Sequence, residues 1–468
     1  MIKSKFTRLY LKLDKAERAA LKKWIQSPLH LKHKDVKRLF DYYQTRKKIS
    51  KLSLNRYRVF EFLYPQQEYD DLKLRHLYSN ALKTLEEFVR FFCSFYEDVM
   101  PDIHQVAYYR HRQLDDFAHS SLQRAQQKLE NSPRRNASFF MQAYLAEAEH
   151  FELSFKEQRL KESNLQTITH QLNAFYICSI LRYACISLTH QNLRKADYSI
   201  TLLQAVLLEI ERGSFNQIPA VMLYYFSYLA LLNPEEDDYF QALKTLLFEN
   251  QNVLERHEYK EVLLFSINYC IKRLNSGDEE YVREAFELYK FGVEQHLLLD
   301  DGILSRFAFK NIAALGLRLK EYDWVQSFIE TYATLLEAPY RVTQIHYNKA
   351  RLHFSKGNFD EAMLLLQQVE YDDVFMNMDA KVMLLKMYYQ KEEFDLLESL
   401  MSSFLMYLQR KTILSYHRSN YENIVRLLRK IINLKPYDVK GKAQVRQQIK
   451  EARPLTELNW LLEQVDKI

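Results

Sequence analysis

Hydrophobic positions recur along this chain at the three- and four-residue spacing of amphipathic helices, with short polar turns between the apolar runs. Six times a charged turn precedes an aromatic residue that opens such a helix, at intervals of 41, 42, 41, 37 and 35 residues. The six aromatics are Tyr198, Tyr239, Tyr281, Tyr322, Phe359 and Phe394. Self-similarity at this period is typical of helical-hairpin arrays, whose units bury their apolar faces against their neighbours. The pattern predicts an all-α fold, an α-solenoid of antiparallel helical hairpins.

The first hundred residues are patterned differently from the rest. Asp14, with Glu17 three residues later, is a candidate N-cap for a helix that ends at Ser27, before a proline. A further helix is predicted from about Lys34. We divide the chain into a basic N-terminal helical subdomain (residues 1–100), a hairpin array (residues 101–435) and C-terminal capping helices (residues 436–468). The last of these helices is predicted to begin at Pro454.

One unit near the C-terminus carries a family resemblance. Residues 347–362 combine a small Ala350 in the first helix, Gly357 in the turn, Phe359 opening the second helix and a small Ala362 where the helices cross. This stretch resembles a tetratricopeptide repeat. The earlier intervals of 41 and 42 residues exceed the usual repeat of about 34, so those units need longer helices or turns. The resemblance implies a tetratricopeptide-like array that presents a concave surface to a protein or peptide.

The N-terminal region carries a second resemblance. A Lys-rich helix and a Ser-Pro stop precede the aromatic helix around Leu39, Phe40 and Tyr43. This arrangement resembles uncharacterised bacterial helical proteins, and it implies no activity.

Several classes of enzyme and of bound cofactor lack their signatures here. Only 7 of the 468 residues are glycine, and no two of them form a phosphate-cradling loop. The H-E-x-x-H and G-x-S-x-G motifs are absent from the sequence, and no histidine pair has a third ligand at metal-site spacing. We therefore expect no catalysis, no cofactor and no metal. We expect the four cysteines to be reduced core residues: Cys93, Cys178, Cys185 and Cys270.

Aligning the last three units on their turn aromatics places polar and basic residues of the first helices above one another. If the first helices line the concave side, these residues form one strip: Lys310, Asn311, Asn348, Arg351 and Lys386. In tetratricopeptide proteins that bind peptides, such side chains hydrogen-bond the ligand backbone and its carboxylates. The resemblance thus implies a groove for a peptide or an acidic tail. The alternative is a solvated helix face with ordinary charge pairs.

The formal net charge of +6 conceals an asymmetry, because residues 1–60 hold eighteen Lys and Arg against four Asp and Glu. A basic helix–turn–helix segment could bind nucleic-acid phosphates, and its candidate residues are Lys22, Lys23, Lys32, Lys34, Lys37, Arg38, Arg46, Lys47 and Lys48. The first helix could instead lie on an anionic membrane surface or bind an acidic protein. A solvated capping subdomain explains the same charges.

We expect a cytoplasmic chain without a transmembrane segment. The first ten residues lack the apolar run of a secretory signal, and the longest uncharged apolar stretch, residues 218–232, has 15 residues. That stretch is predicted to be a buried helix. The sequence favours a protein-binding or peptide-binding scaffold or adaptor. The alternative is a nucleic-acid-associated regulator that uses the basic N-terminal region.

Overall fold

The computed structural model describes residues 1–27, 33–46, 49–50, 52–96, 99–157, 163–194, 197–367, 374–410 and 415–468. The chain divides into two compact units. Unit 1 comprises residues 1–225 and 250–255, and unit 2 comprises residues 226–249 and 256–468. The subdomain boundaries predicted at residues 100 and 435 fall inside these units and stay predictions.

The described residues are almost entirely helical, and helices that follow one another in the chain pack together, as the hydrophobic pattern predicts. In unit 1 the helices are α1 (Lys5–Lys12), α2 (Lys15–Gln26), α3 (Lys34–Gln44), α4 (Arg56–Leu63), α5 (Asp71–Tyr96), α6 (Met100–His111), α7 (Asp115–Asn131), α8 (Ala137–Glu157), α9 (Leu165–Arg194) and α10 (Leu203–Glu211). Helix α11 (Pro219–Leu232) carries the chain from unit 1 into unit 2. Most of its apolar side chains are buried, which confirms the prediction for residues 218–232.

Unit 2 continues the same arrangement. Its helices are α12 (Asp237–Glu249), α13 (Arg256–Ser276), α14 (Tyr281–Glu294), α15 (Arg306–Arg318), α16 (Tyr322–Tyr332), α17 (Ala338–Lys356), α18 (Phe359–Gln367), α19 (Val374–Gln390), α20 (Phe394–Arg410), α21 (Ser415–Ile432), α22 (Val439–Glu451) and α23 (Leu458–Lys467). A short 3₁₀ helix spans Ala333–Leu335, and two-residue strands β1 (Leu299–Asp300) and β2 (Ile303–Leu304) pair antiparallel. The last helix begins at Leu458 rather than at Pro454.

The N-terminal helices pack around an aromatic core. The Phe6 ring meets those of Phe40, Tyr43 and Tyr78 edge-on, with centroids 5.3, 5.1 and 5.6 Å away. The buried hydroxyls of Thr7 and Tyr43 lie 2.6 Å apart, and those of Tyr43 and Tyr78 lie 3.1 Å apart. A chain of hydroxyls thus satisfies polar groups inside an otherwise apolar core.

The predicted start of α2 is confirmed atom by atom. The Glu17 backbone N–H donates to the Asp14 carboxylate at 2.8 Å, and the Asp14 backbone N–H donates to the Glu17 carboxylate at 2.6 Å. This reciprocal pair is a capping box, which satisfies two backbone donors that the first turn leaves free. The proline predicted to stop this helix, Pro28, lies outside the described residues.

The tetratricopeptide-like unit folds as a helical hairpin, α17 and α18. Gly357 ends α17 in the left-handed region at φ +82°, and the Asn358 N–H closes the end by donating to the His353 carbonyl at 2.9 Å. Ala350 and Ala362 have no exposed surface, as expected of small residues where two helices cross.

The turn aromatics are less uniform than the sequence period suggests. Four of them open a helix, since α14, α16, α18 and α20 begin at such a residue, whereas Tyr198 precedes α10 and Tyr239 lies inside α12. The repeat pattern predicts that each of these six aromatics fills a buried wedge between neighbouring hairpins. Only Tyr281 is fully buried, while Tyr198 and Phe394 are 45% and 44% exposed. The expectation of burial was therefore wrong for those two.

Three of the four cysteines, Cys178, Cys185 and Cys270, are buried thiols outside any disulfide, as expected. Cys93 is free but exposed near the end of α5, so the expectation of a core position was wrong for it. Burial raises the pKa of the Cys270 thiol, which keeps it protonated and unreactive.

Candidate functional site

A cleft of about 640 Å³ lies in unit 2 on one face of four helices, α15, α17, α19 and α21. Each of these helices packs against the next helix in the chain, so each is the first member of a helix pair. The segment before α23 contributes Thr456 and Glu457 to the wall. The cleft therefore runs across the first helices of successive pairs, the face on which the sequence analysis placed a groove.

Basic side chains surround this cleft, and all but one are already paired. Arg318 forms an ion pair with Glu279, and Lys386 forms one with Glu457. Lys310 lies beside the cleft and reaches the Asp379 carboxylate at 3.3 Å. These pairs hold the walls together, and they consume much of the positive charge at the site.

Arg351 is the exception. Its Nη1 atom is buried without a hydrogen-bond acceptor, and among the described residues Arg351 has no ion-pair partner. Its guanidinium carbon lies 5.7 Å from the centre of the Tyr347 ring, a cation–π contact that helps to orient the planar group. A buried donor without an acceptor is destabilising, and an incoming oxygen atom would relieve that penalty. A carboxylate matches the guanidinium fork best, because it accepts two parallel hydrogen bonds.

The acidic centre of the cleft is Asp379 on α19. It accepts hydrogen bonds from the Tyr421 hydroxyl at 2.9 Å and the Tyr347 hydroxyl at 3.2 Å. Together with Lys310, these contacts join all four helices of the cleft through one carboxylate. Burial, and then the Asp379 charge, raise the pKa of Tyr421 above its ordinary value, so this hydroxyl stays a donor at neutral pH.

The segment before α23 is held in place by directional hydrogen bonds. The Asn420 side chain donates to the Thr456 hydroxyl at 3.2 Å and accepts from the Thr456 backbone N–H at 2.8 Å. The Asn423 side chain donates to the Pro454 carbonyl at 3.0 Å. Trp460, at the start of α23, packs edge-on against Tyr389 of α19. The C-terminal segment is therefore a fixed wall of the cleft.

The structure brings together three of the five residues predicted from the alignment of units. Arg351 and Lys386 line the cleft, and Lys310 adjoins it. Asn311 is exposed, and its amide lies 3.4 Å from the Tyr289 hydroxyl of α14. Asn348 has no exposed surface, and its amide donates to the Gln344 carbonyl at 2.8 Å. Asn311 and Asn348 are therefore not among the residues that would contact a ligand in the cleft.

Helix geometry explains this division. Successive residues on a helix point about 100° apart, so neighbours such as Tyr347 and Asn348 cannot share a face. Positions i, i+4 and i+7 do share one, and Tyr347, Arg351 and Phe354 all line the cleft. The same spacing backward from Lys386 leads to Asp379, a residue that the sequence analysis missed although this signal was present. Arg318 was also missed, although it lies on the same helix as Lys310. Tyr421 and Glu457 were missed because they lie outside the three aligned units.

A second groove, of about 780 Å³, lies between α20, α21 and α22 and has an apolar floor. Its cations are engaged with neighbours. Arg429 pairs with Glu398 at 2.5 Å, and Lys430 donates to the Gln448 amide oxygen at 2.7 Å. Among its described lining residues, this groove has no unsatisfied buried polar group comparable to Arg351, so the first cleft is the better candidate site.

The basic N-terminal region exposes its charge. Exposed cations of the described residues 1–46 are Lys3, Lys5, Arg8, Lys12, Lys15, Arg18, Lys22, Lys23, Lys34, Lys37 and Arg38. Lys32, Lys47 and Lys48 lie outside the described residues. Tyr42 and Tyr43 are buried, and Trp24 is half-buried against Phe88 and Phe91. These aromatics belong to the core, so this face offers charge rather than a platform for stacked bases.

Two further properties bear on the class of site. Within the part of the chain that the structure describes, no group of three or more His, Cys, Asp or Glu could hold a metal ion. In that same part, one helical span, Leu165–Gln191 in α9, is long and apolar enough to cross a bilayer by length and composition alone. Such a span also occurs in core helices, and this one is partly buried within the fold.

Comparisons of the chain with protein-family models, with curated proteins and with solved structures found no match. What the geometry establishes is an all-helical array of neighbouring helices, compatible with a helical repeat, with a polar cleft in unit 2.

Proposed function

We propose that this chain is a scaffold or adaptor that binds a partner protein through an extended acidic segment held in the unit 2 cleft. The observation that carries the proposal is Arg351, whose buried Nη1 has no acceptor among the residues that the structure describes. An acidic side chain or a terminal carboxylate of a peptide would supply that acceptor. The tetratricopeptide-like pattern of residues 347–362 supports the same function, and we place the protein in the cytoplasm as part of this proposal.

The composition of the cleft walls favours a peptide over a smaller anion. Tyr347, Phe354 and Tyr421 provide aromatic surface beside the charged groups, and Met383 and Val382 provide aliphatic surface. Such a mixture suits a ligand that has apolar side chains as well as a carboxylate. A simple inorganic anion would use the charge but leave the aromatic walls unfilled.

The experiment is selection of a random peptide library on the full-length protein, followed by calorimetric titration of the selected peptides. We expect selection to enrich Asp, Glu or a free C-terminus. The Arg351→Ala variant should bind the selected peptide about 10- to 100-fold more weakly, since a hydrogen bond to a charged group contributes about 1.5–3 kcal/mol. Arg351→Lys should fall between, because it retains the charge but loses the fork.

The matched control is Arg410→Ala, which removes an exposed arginine of α20 away from the cleft. It should leave peptide affinity unchanged. Equal affinities for wild type and Arg351→Ala would refute the proposed site, and a library that enriches no acidic peptide would refute the ligand class.

A second candidate function is a nucleic-acid-associated regulator, favoured by the exposed cations of α1, α2 and α3. Because the aromatics there are buried, we expect contacts to phosphates only, with steep salt dependence and little sequence preference. The test is a gel-shift titration with random DNA and RNA. The Lys34→Glu, Lys37→Glu, Arg38→Glu triple variant should abolish any shift. Absence of a shift for wild type at about 50 mM salt would remove this candidate.

A further inference from the structure

Helix α9 of unit 1 exposes an apolar stripe along one side. Four large side chains lie on it, Leu165, Leu172, Tyr176 and Tyr183, with exposed fractions of 51%, 42%, 39% and 60%. Thr169, Ser179 and Ile186 fill the positions between and beyond them. These seven residues follow one another at alternating intervals of four and three, the spacing of the a and d positions of a heptad repeat. We call these seven residues the α9 seam.

The opposite side of α9 is the one packed into unit 1. Ala174, Cys178, Leu181 and Cys185 are buried, and the Cys185 thiol lies 3.4 Å from the Tyr224 carbonyl. The helix therefore has two apolar sides, of which the fold uses one. This explains why its composition is apolar enough to match a membrane span although part of it is buried.

The two aliphatic hydroxyls of the seam, those of Thr169 and Ser179, are compatible with burial. The Thr169 hydroxyl donates to the Leu165 carbonyl at 3.1 Å, and the Ser179 hydroxyl donates to the Phe175 carbonyl at 2.8 Å. Both hydroxyls are satisfied within the helix, so burying them in an interface leaves neither donor without an acceptor. Arg182 is the single charged residue between Leu165 and Gln191, and it lies outside the seam.

Six of the seven seam residues lie symmetrically about Ala174, and the counterpart of Ile186 would be residue 162, outside the described residues. Leu165 and Tyr183 lie nine residues to either side of it, Thr169 and Ser179 five residues, and Leu172 and Tyr176 two residues. A two-fold axis through this point, perpendicular to the helix, places each of these residues opposite its counterpart in a second helix. Each pair then joins an a position to a d position, as antiparallel coiled coils do. A two-fold interface has this self-complementary form, in which residue i meets j and j meets i.

We propose that α9 pairs antiparallel with α9 of a second copy of this chain, forming a homodimer centred on Ala174. Leu172 of each copy packs against Tyr176 of the other at the centre, and Leu165 packs against Tyr183 at each end. The absence of charge from the seam favours this occupant over an acidic or basic partner. The match of residue types across the axis, hydroxyl to hydroxyl at Thr169 and Ser179 and leucine to tyrosine at the other two pairs, favours an identical chain.

The first test is the mass of the full-length protein by light scattering after size exclusion at micromolar concentration. Wild type should have twice the mass of one chain. A Leu172→Glu, Tyr176→Glu double variant should have half the wild-type mass, because four carboxylates would meet at the centre of the interface. Gln166→Glu, on the same helix but off the seam, should stay dimeric. Circular dichroism melting must show that both variants are folded.

The second test fixes the orientation, in a Cys93→Ser background that removes the exposed thiol. A mixture of Thr169→Cys and Ser179→Cys proteins should form a disulfide-linked dimer under mild oxidation. Neither protein alone should do so, since each cysteine then faces Ser179 or Thr169. Parallel helices would cross-link Thr169→Cys alone.

Three results would overturn the proposal. They are a monomeric wild type, a Leu172→Glu, Tyr176→Glu variant that remains dimeric, and cross-linking of Thr169→Cys alone. A membrane is the competing occupant of the seam. Flotation of the wild type with phosphatidylcholine–phosphatidylglycerol vesicles, lost in the double variant, together with a monomeric mass in their absence, would assign the seam to lipid instead.

Discussion

The Tyr421 hydroxyl on α21 donates a 2.9 Å hydrogen bond to the Asp379 carboxylate on α19. Tyr421 is 7% exposed, so this contact joins two first helices at the edge of the hydrophobic core of the C-terminal pairs. Stability and cleft shape therefore depend on the same residue pair.

Removing that hydroxyl should weaken unit 2 while leaving its packing intact. Tyr421→Phe should lower the free energy of unfolding by about 0.5–1.5 kcal/mol, or up to about 3 kcal/mol if the Asp379 charge strengthens the bond. Urea unfolding followed by circular dichroism measures this change. Tyr437→Phe, at a tyrosine that is 79% exposed, is the control and should be neutral. An equal loss in both variants would contradict the assignment.

Stability should fall at alkaline pH. Burial is the main cause that raises the pKa of Tyr43 and Tyr78, and it raises the pKa of Tyr64 to about 12, helped by the Asp35 carboxylate. The unfolded chain ionises its tyrosines near pH 10, below the folded pKa. Their contribution is therefore complete below about pH 10 and is lost as the pH rises toward the folded pKa.

The measurement is urea unfolding at a series of pH values, with tyrosinate absorbance recorded in parallel. The decline above about pH 10 should be shallower in Tyr78→Phe, which removes one of the linked groups. A wild-type stability that stays flat well above that pH would contradict the linkage.

Gly316→Ala should destabilise the α15–α16 pair. A Cβ at this position would lie 2.5 Å from Val325 Cγ2 and 3.1 Å from Phe286 Cε2, both in the core. Overpacking of this kind costs about 1–3 kcal/mol. Adding Val325→Ala removes the closest contact, so the double variant should lose less stability than the two single changes summed. Strict additivity in thermal unfolding would show that the helices separate without strain.

The turn aromatics should differ in energy although they share a sequence period. Tyr281→Ala should cost about 3–5 kcal/mol, because its ring is buried between Phe240 and Tyr269. Phe394→Ala should cost less, about 1–1.5 kcal/mol, because its side chain is 44% exposed and less apolar surface is lost from the core. Denaturant unfolding of the two variants side by side gives the comparison. Similar losses in the free energy of unfolding would contradict the difference in burial between the two residues.

Much of the fold follows from local rules. The capping box at Asp14 and Glu17, the left-handed Gly357 and the small crossing residues Ala350 and Ala362 are each specified by a few neighbouring positions. Whether an aromatic residue is buried is not decided by its sequence neighbours. It depends on which helix the neighbouring pair brings near, so Tyr281 and Phe394 look alike in the sequence and differ in the fold.

The candidate site was predictable only in the part that local periodicity determines. Periodicity located the face of α17 that carries Arg351, yet superposing units by their offsets ignored the 100° step that separates Asn348 from Tyr347. Asp379 could have been found from Lys386 by counting back one heptad. Glu457 could not, because its place at the cleft depends on how the C-terminal segment turns after α22.

The segment before α23 affects how any affinity measured at the cleft should be interpreted. The Glu457 carboxylate already pairs with Lys386, so an incoming acidic group meets a cation occupied by the chain itself. A tethered group acts at an effective concentration set by its linkage, of millimolar order for short connections, and does not dilute with the protein. At Lys386, unlike at Arg351, binding of the proposed acidic segment would exchange one carboxylate for another, and that part of the affinity would report the difference between them. A change that loosens Asn420 from Thr456 is therefore expected to release this intramolecular competitor and to tighten binding of the proposed ligand.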